Sequence, residues 1–329
     1  MNKVSYAKQG LFFCLIVSLT LLISSCSKDE NPSYSIGTGS VTGSYQDIGI
    51  AIARIANKDK IINGFQLEDK ISSGSVSNIN AIAAGEAQFG IAQADDQYLA
   101  AKGLGEWKDK GPQRDLRAIF SIYVESITLV AGGDTDIRSV NDLKGKIVDI
   151  GIPGSGTRRN AIDALRAAGI DWNKDIQMHG ESLDNRLAMF MKGELDAFFF
   201  TVGHPNKDVK FSTFSVRGAR IIPLTNIDSL ISENPYYSRS LIPSALYPMA
   251  NSTGDIETIG VNATLLTSTK VSDDVVYAVT KTIFENLESL TDLNAEFSAL
   301  RGNNFLEGLT APIHPGALKY YKETGVKIP

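Results

Sequence analysis

Two stretches of glycine and small hydroxyl residues are where this sequence could do chemistry. They are Gly37-Thr38-Gly39-Ser40-Val41-Thr42-Gly43 and Gly151-Ile152-Pro153-Gly154-Ser155-Gly156-Thr157. Each follows a β-prone run and opens an amphipathic one. In that position free backbone N–H groups and the positive end of a helix make an anion site. Glycine at Gly39, Gly43 and Gly156 lets the backbone approach a ligand. The hydroxyls of Thr38, Ser40, Thr42, Ser155 and Thr157 add donors. One such loop is commonly a plain strand-to-helix turn; two of them, one per structural unit, point to an anion held between facing loops.

Side chains near the loops extend the candidate site. Arg158 follows the second loop, where a guanidinium could pair with a carboxylate in bidentate fashion; Arg159 beside it could take that role instead. Tyr45 follows the first loop and offers a ring face and a hydroxyl. Gln93 and Asp95 end one strand, and Thr201 and His204 end its counterpart. Asp95 could receive a ligand ammonium group or simply cap the helix beginning near Gln97. Tyr123 and Glu125 would floor a cleft or pin a hinge.

Catalytic readings fail on inventory. The three histidines, His179, His204 and His314, have no metal-ligand spacing to one another or to a cysteine. No G-x-S-x-G elbow occurs, and neither loop ends in the Gly-Lys-Ser/Thr of a P-loop. The expectation is a protein that is not an enzyme, with no metal and no cofactor. A dinucleotide oxidoreductase is the rival, because Gly37-x-Gly39-x-x-x-Gly43 after a strand is reminiscent of a Rossmann turn.

The elements around the loops repeat. A strand at Tyr34–Ile36, the first loop and a helix over about Tyr45–Asn57 come first. A helix at Val76–Glu86 stopped by Gly85 and a strand at Gln88–Ala92 follow. The strand Lys146–Ile150, the second loop and a helix from Arg158 to near Gly169 start the second unit. It continues with a helix at Asp184–Lys192 stopped by Gly193 and a strand at Asp196–Phe200. Glycine after the last helical turn is a C-cap signal. Between and after the units, the runs 116–131 and 257–267 read as long strands crossing from one lobe to the other. The fold expected is α/β with two lobes and a hinge of two crossover strands. Lobe I would be 34–122 plus about 264–329, and lobe II about 123–263. A helix at Ser272–Leu290 and a short one at Pro315–Glu323 close the chain.

The N-terminus sets the compartment. Lys3 and Lys8 precede an apolar run, Leu11–Ile23, shorter than the roughly 20 residues a membrane span needs. The run has the proportions of a signal-peptide core. It ends in Ile23-Ser24-Ser25-Cys26, which resembles a bacterial lipobox. Residues 1–25 are thus expected to be a lipoprotein signal peptide, with Cys26 lipidated and 26–33 a tether. Cys14 lies in the signal core, so no disulfide is available. Beyond the signal no long apolar run occurs, and a net charge of −5 argues against nucleic acid as a partner.

The ordered motifs IGTGSVTGSY (36–45), IAAGEAQFGIAQADD (82–96), LRAIFSIYVESITLV (116–130), DLKGKIVDIGIPGSGTR (142–158), GELDAFFFTVGHPN (193–206), IGVNATLLTSTKVSDDVVYAVTKTIFENL (259–287) and APIHPGALKYYKE (311–323) resemble the TAXI subfamily of TRAP transporter solute-binding proteins. The resemblance implies a periplasmic-binding-protein-like fold of the type II topology. It further implies capture of a small anionic solute, an amino acid such as glutamate or glutamine or an organic acid, for a TRAP-type membrane permease. It carries ligand contact onto GTGSVTG, PGSGTR and Tyr45. The expected protein is a monomer on the periplasmic side of the cell envelope, held to a membrane by the lipid on Cys26. Service to a membrane sensor is the alternative within that class.

Overall fold

The computed structural model describes residues 32–58, 64–179, 185–250, 252, 254–302 and 304–328. The signal peptide and Cys26 lie outside the described residues. Among the described residues no helix is long and apolar enough to cross a membrane.

The chain runs β1 (Ser33–Gly37), α1 (Ser44–Lys58), β2 (Gln66–Lys70), α2 (Ser75–Ala84), β3 (Phe89–Gln93), α3 (Ala94–Lys102) and the long strand β4 (Leu116–Gly132). It continues with β5 (Ile147–Asp149), α4 (Gly156–Ala167), β6 (Gln177–His179), α5 (Arg186–Lys192) and β7 (Ala197–Val202). Then come α6 (Lys207–Thr213), β8 (Ala219–Ile222), α7 (Asp228–Glu233), β9 (Tyr237–Ile242) and a second long strand, β10 (Ile256–Ser268). Helices α8 (Asp273–Glu285), α9 (Leu287–Leu293) and α10 (Pro315–Glu323) end it.

All ten strands join in one sheet of order β2-β1-β3-β10-β4-β7-β5-β6, with β8 on β4 and β9 on β10. Strands β1–β3 are parallel, and β10 enters beside β3 antiparallel through Ala263–Leu266. The same strand pairs with β9 through Ile256–Val261. Strand β4 pairs with β10 from Leu116 to Ser126, then with β7 and β8. Both strands therefore leave one lobe and enter the other. Register shifts near Ala263/Thr264 and Leu265/Leu266 mark where the pair bends.

Each lobe keeps a separate core, and the crossing strands feed both. Phe120 and Leu265 pack with Ile36, Ile48 and Phe89 in the first. Leu129 and Ile259 pack with Val148, Leu165 and Phe199 in the second. Burying one such side chain is worth about 1.5–3 kcal/mol, so a hinge that leaves both cores intact bends at little cost.

The repeat read from sequence has a matching backbone. Gly85 and Gly193 end α2 and α5 with φ of 80° and 79°, a left-handed conformation that favours glycine. After each, the next residue's N–H returns to the helix: Glu86 to Ala81 O at 2.8 Å, Glu194 to Met189 O at 2.9 Å. That is the Schellman closure.

Of the helix expected at Asp184–Lys192, Asp184 lies outside the described residues and the helix runs from Arg186. Two further helix boundaries differ from expectation for a local reason. The helix expected from Arg158 starts at Gly156, because Ser155 accepts from Arg158 N and acts as the N-cap. The helix expected at Ser272–Leu290 divides at Asn286, whose φ of −118° and ψ of 24° leave the helical region.

Candidate functional site

Both glycine-rich loops reach one cavity of about 60 Å³ between the lobes. Gly39, Ser40, Gly43, Ser73, Ser75 and Gln93 line it from the first lobe. Gly151, Ser155, Gly156, Thr157, Phe200 and Thr201 line it from the second, and Glu125 on β4 forms the floor. The lobes touch across it. Ser77 N donates to Gly154 O at 3.4 Å, and Lys207 pairs with Asp47 at 3.6 Å.

The two loops use glycine differently. In the second, Gly151 and Gly154 have φ of 89° and 83°, so the turn itself demands them. In the first, the need is space: a Cβ on Gly37 would overlap the Asn78 side chain, and one on Gly39 would lie 3.3 Å from Tyr45 Cβ. Asn78 braces this loop, donating to Thr38 O at 2.6 Å and Ile91 O at 2.7 Å.

Glu125 is the chemical centre of the floor. It is 3% exposed. Tyr45 Oη donates to its Oε2 at 2.7 Å, Gln93 Nε2 donates to Oε2 at 3.1 Å, and Tyr123 Oη donates to Oε1 at 3.2 Å. Burial pushes its carboxyl up to about 8, against the lowering effect of the Tyr45 and Gln93 hydrogen bonds. Tyr45 is itself raised well above its ordinary value, by burial and by the Glu125 charge. Nearby, burial raises Glu296 to about 7; it accepts from Ser44 Oγ at 2.8 Å.

Arg186, at the start of α5, supplies the cavity's cation. It is 3% exposed, pairs with Asp208 at 3.1 Å and stacks over Phe200 at 4.1 Å. Its Nε has no partner, and neither does Gln93 Oε1 or Thr201 Oγ1, all three buried. Buried polar atoms are normally satisfied, so three orphans around one cavity mark where a polar ligand would bond. Nothing local in the sequence singled out Arg186: its partner Asp208 is 22 residues on, and the ring beneath it comes from β7.

The sequence profile of the NMT1-like family matches residues 36–325, from the end of β1 through α10. The chain belongs to the NMT1-like family. Solved structures agree on the architecture. A binding protein component of an ABC phosphonate transporter from Pseudomonas aeruginosa is 12% identical with a TM-score of 0.52, over 81% of this chain and 79% of that one. A protein from Bordetella bronchiseptica is 15% identical with a TM-score of 0.50, over 92% of this chain and 91% of that one. The likeness is one of fold: two lobes joined by crossing strands. The rival Rossmann order does not contain an antiparallel strand such as β10 beside β3.

In this NMT1-like chain Gly39, Ser40, Gly43, Tyr45, Gln93, Ser155, Gly156, Thr157 and Thr201 all reach the cavity. The other expected contacts do not. Thr38 is fully buried, donating to Lys70 O at 2.8 Å and bonding Gln46, which pins the first loop. Thr42 is exposed on the loop's outer side. Arg158 folds back to Gly151 O at 2.9 Å and lies over Trp172 at 5.5 Å, as solvent and an aromatic face favour for a first-turn arginine. His204 does not line the cavity; it lies 2.9 Å from Thr128 Oγ1 and 2.5 Å from Tyr247 Oη, and burial lowers it to about 4.

Asp95 does not line the cavity, and the N-cap of α3 is Gln93. It joins a buried cluster where the lobes meet: Asn160 donates to it at 2.6 Å, and Tyr237 Oη stands between it and Asp163. Burial raises both Asp95 and its neighbour Asp96. Arg159, 3.7 Å from Asp96, is the cation of this cluster.

Proposed function

We propose that this chain is an extracytoplasmic solute-binding lipoprotein that shuts two lobes over a small anionic solute and delivers it to a TRAP-type membrane permease. The solute class is an amino acid such as glutamate or glutamine, or an organic acid. The observation that carries the reading is the inter-lobe cavity with its orphaned donors and acceptors, Arg186 Nε, Thr201 Oγ1 and Gln93 Oε1. Lobe I is taken as 34–122 with about 264–329, and lobe II as about 123–263. Delivery to a TRAP permease is supported by the run of TAXI-like motifs, and anchoring by the lipobox ending at Cys26.

Thermal shift with glutamate, glutamine and 2-oxoglutarate tests the binding. A ligand at 100 times its dissociation constant adds about 2.7 kcal/mol of stability. A panel in which no acid or amino acid shifts the melt, while a nucleotide does, would overturn the reading. Labelled fatty acid should enter the wild-type chain and not Cys26→Ala; equal labelling of both would refute the anchor.

A further inference from the structure

The cavity holds two buried ionisable groups of opposite kind. Arg186 brings a fixed positive charge to the second lobe's wall, with Nε unpartnered. Glu125 brings a carboxyl to the floor, and its three hydrogen-bond partners are all neutral donors: Tyr45, Gln93 and Tyr123. Among the described residues, no ion pair involves Glu125, whereas Arg186 has Asp208. A carboxyl surrounded only by donors has its lone pairs directed for the ionised form, yet no cation of the protein supports that charge. A buried charge without a counter-charge is expensive; with a cation beside it, the same burial strengthens the attraction.

We infer that Glu125 is the specificity-determining group of the cavity, and that it receives a protonated amine carried by the solute. The inference rests on the proposed solute-binding function and narrows it. The solute carries both a carboxylate, for Arg186 and the N-terminal turns of α1 and α4, and an ammonium group, for Glu125. An amino acid meets both demands; an organic acid without nitrogen meets only one.

The arrangement implies an exchange of one proton. Below about 8 the empty site holds Glu125 protonated. An arriving ammonium group favours the carboxylate, so the proton leaves to solvent as the amine enters. Affinity for an amine-bearing solute then rises with pH, by up to about tenfold per unit, until Glu125 is already ionised. The other titratable groups facing Glu125 are Tyr45 on α1, Tyr123 on its own strand and Glu296 on the turn after α9. Both tyrosines are held well above neutrality. Glu296 titrates near 7 and therefore needs its own control.

The test is calorimetry on the full chain with L-glutamate and L-glutamine, against 2-oxoglutarate and succinate, in buffers of different ionisation heat at pH 7. The expected result is binding of an amino acid at least about 100-fold tighter than the amine-free acids. Release approaching one proton should be seen in the wild type and in Glu296→Gln, and none in Glu125→Gln. Should Glu125→Gln fail to fold, proton release in wild type and Glu296→Gln decides. Equal affinity for 2-oxoglutarate, or amino-acid binding without proton release, overturns this inference and leaves solute binding standing. Binding by none of the four compounds overturns both.

Discussion

Gln93 and Gly156 face each other across the cleft so closely that a Cβ on Gly156 would overlap the Gln93 amide and stand 3.0 Å from Ser75 Oγ. Gln93 is not free to yield, because its Nε2 holds Glu125. Gly156→Val should therefore push Gln93 off the carboxylate or hold the lobes apart. The expected cost is about 1–3 kcal/mol, read in the ligand-free melt where Gln93 is displaced and in affinity where the lobes are held apart. Scattering should show a larger radius of gyration than wild type at saturating ligand. Wild-type affinity in Gly156→Val would contradict the shut geometry.

Arg186→Lys keeps the charge and removes the planar fork that serves Asp208 and the cavity together. Affinity measured by calorimetry should fall by about 2–5 kcal/mol. Arg186→Ala should in addition lower stability by about 3–5 kcal/mol, because Asp208 is left buried without its partner. A variant melting like wild type would show that the pair bears no weight in the lobe.

Arg158→Ala is the contrasting case. Its guanidinium is spent on Gly151 O and the Trp172 face. Loss of a partly exposed contact of this kind costs about 0.5–1 kcal/mol of stability. Ligand affinity should stay within about threefold; a hundredfold loss would return Arg158 to the site.

Glu125 also makes stability depend on pH in the empty protein. Its carboxyl is raised from 4.5 to about 8, so between those values the folded chain holds a proton that the unfolded chain has lost. The stability this gives is present below about pH 4.5 and disappears as pH rises through about 8. Ligand-free melts should show a smaller decline between pH 5 and 8 in Glu125→Gln than in wild type. Parallel curves would mean that Glu125 is ionised throughout.

Arg159→Ala should open the lobe junction, since it leaves Asp95 and Asp96 without the cation that offsets their charge. The expected loss is about 3–5 kcal/mol, and Asp96→Asn in the same chain should restore part of it. No recovery in the double variant would place the damage in packing rather than charge.

Features that depend on neighbouring residues were legible in the sequence. The glycine stops at Gly85 and Gly193, the two loops and the long crossing strands each declare themselves within one continuous run of sequence, and nine of the expected contacts line the cavity. What could not be read depends on partners distant in the chain. Asp95 read as a strand-end ligand or a helix cap, but its neighbours Asn160 and Tyr237 come from the other lobe. Arg186 carries no local signal, since its meaning depends on β7 placing Phe200 beneath it. The break at Asn286 carries neither glycine nor proline; the Asn286 side chain donates to Thr282 O at 2.8 Å as its backbone leaves the helix.

The crossing strands also govern when the molecule can form. Strand β3 has β10 as its neighbour, and Thr264 Oγ1 donates to Ala92 O across 172 residues of chain. The first lobe therefore cannot complete its sheet until Ile256–Ser268 has been made, although its first three strands emerge early. Closing so long a loop is slow relative to local contacts. Until β10 arrives, one edge of β3 is bare, and the chain passes through an interval in which it is long, partly collapsed and still unlocked.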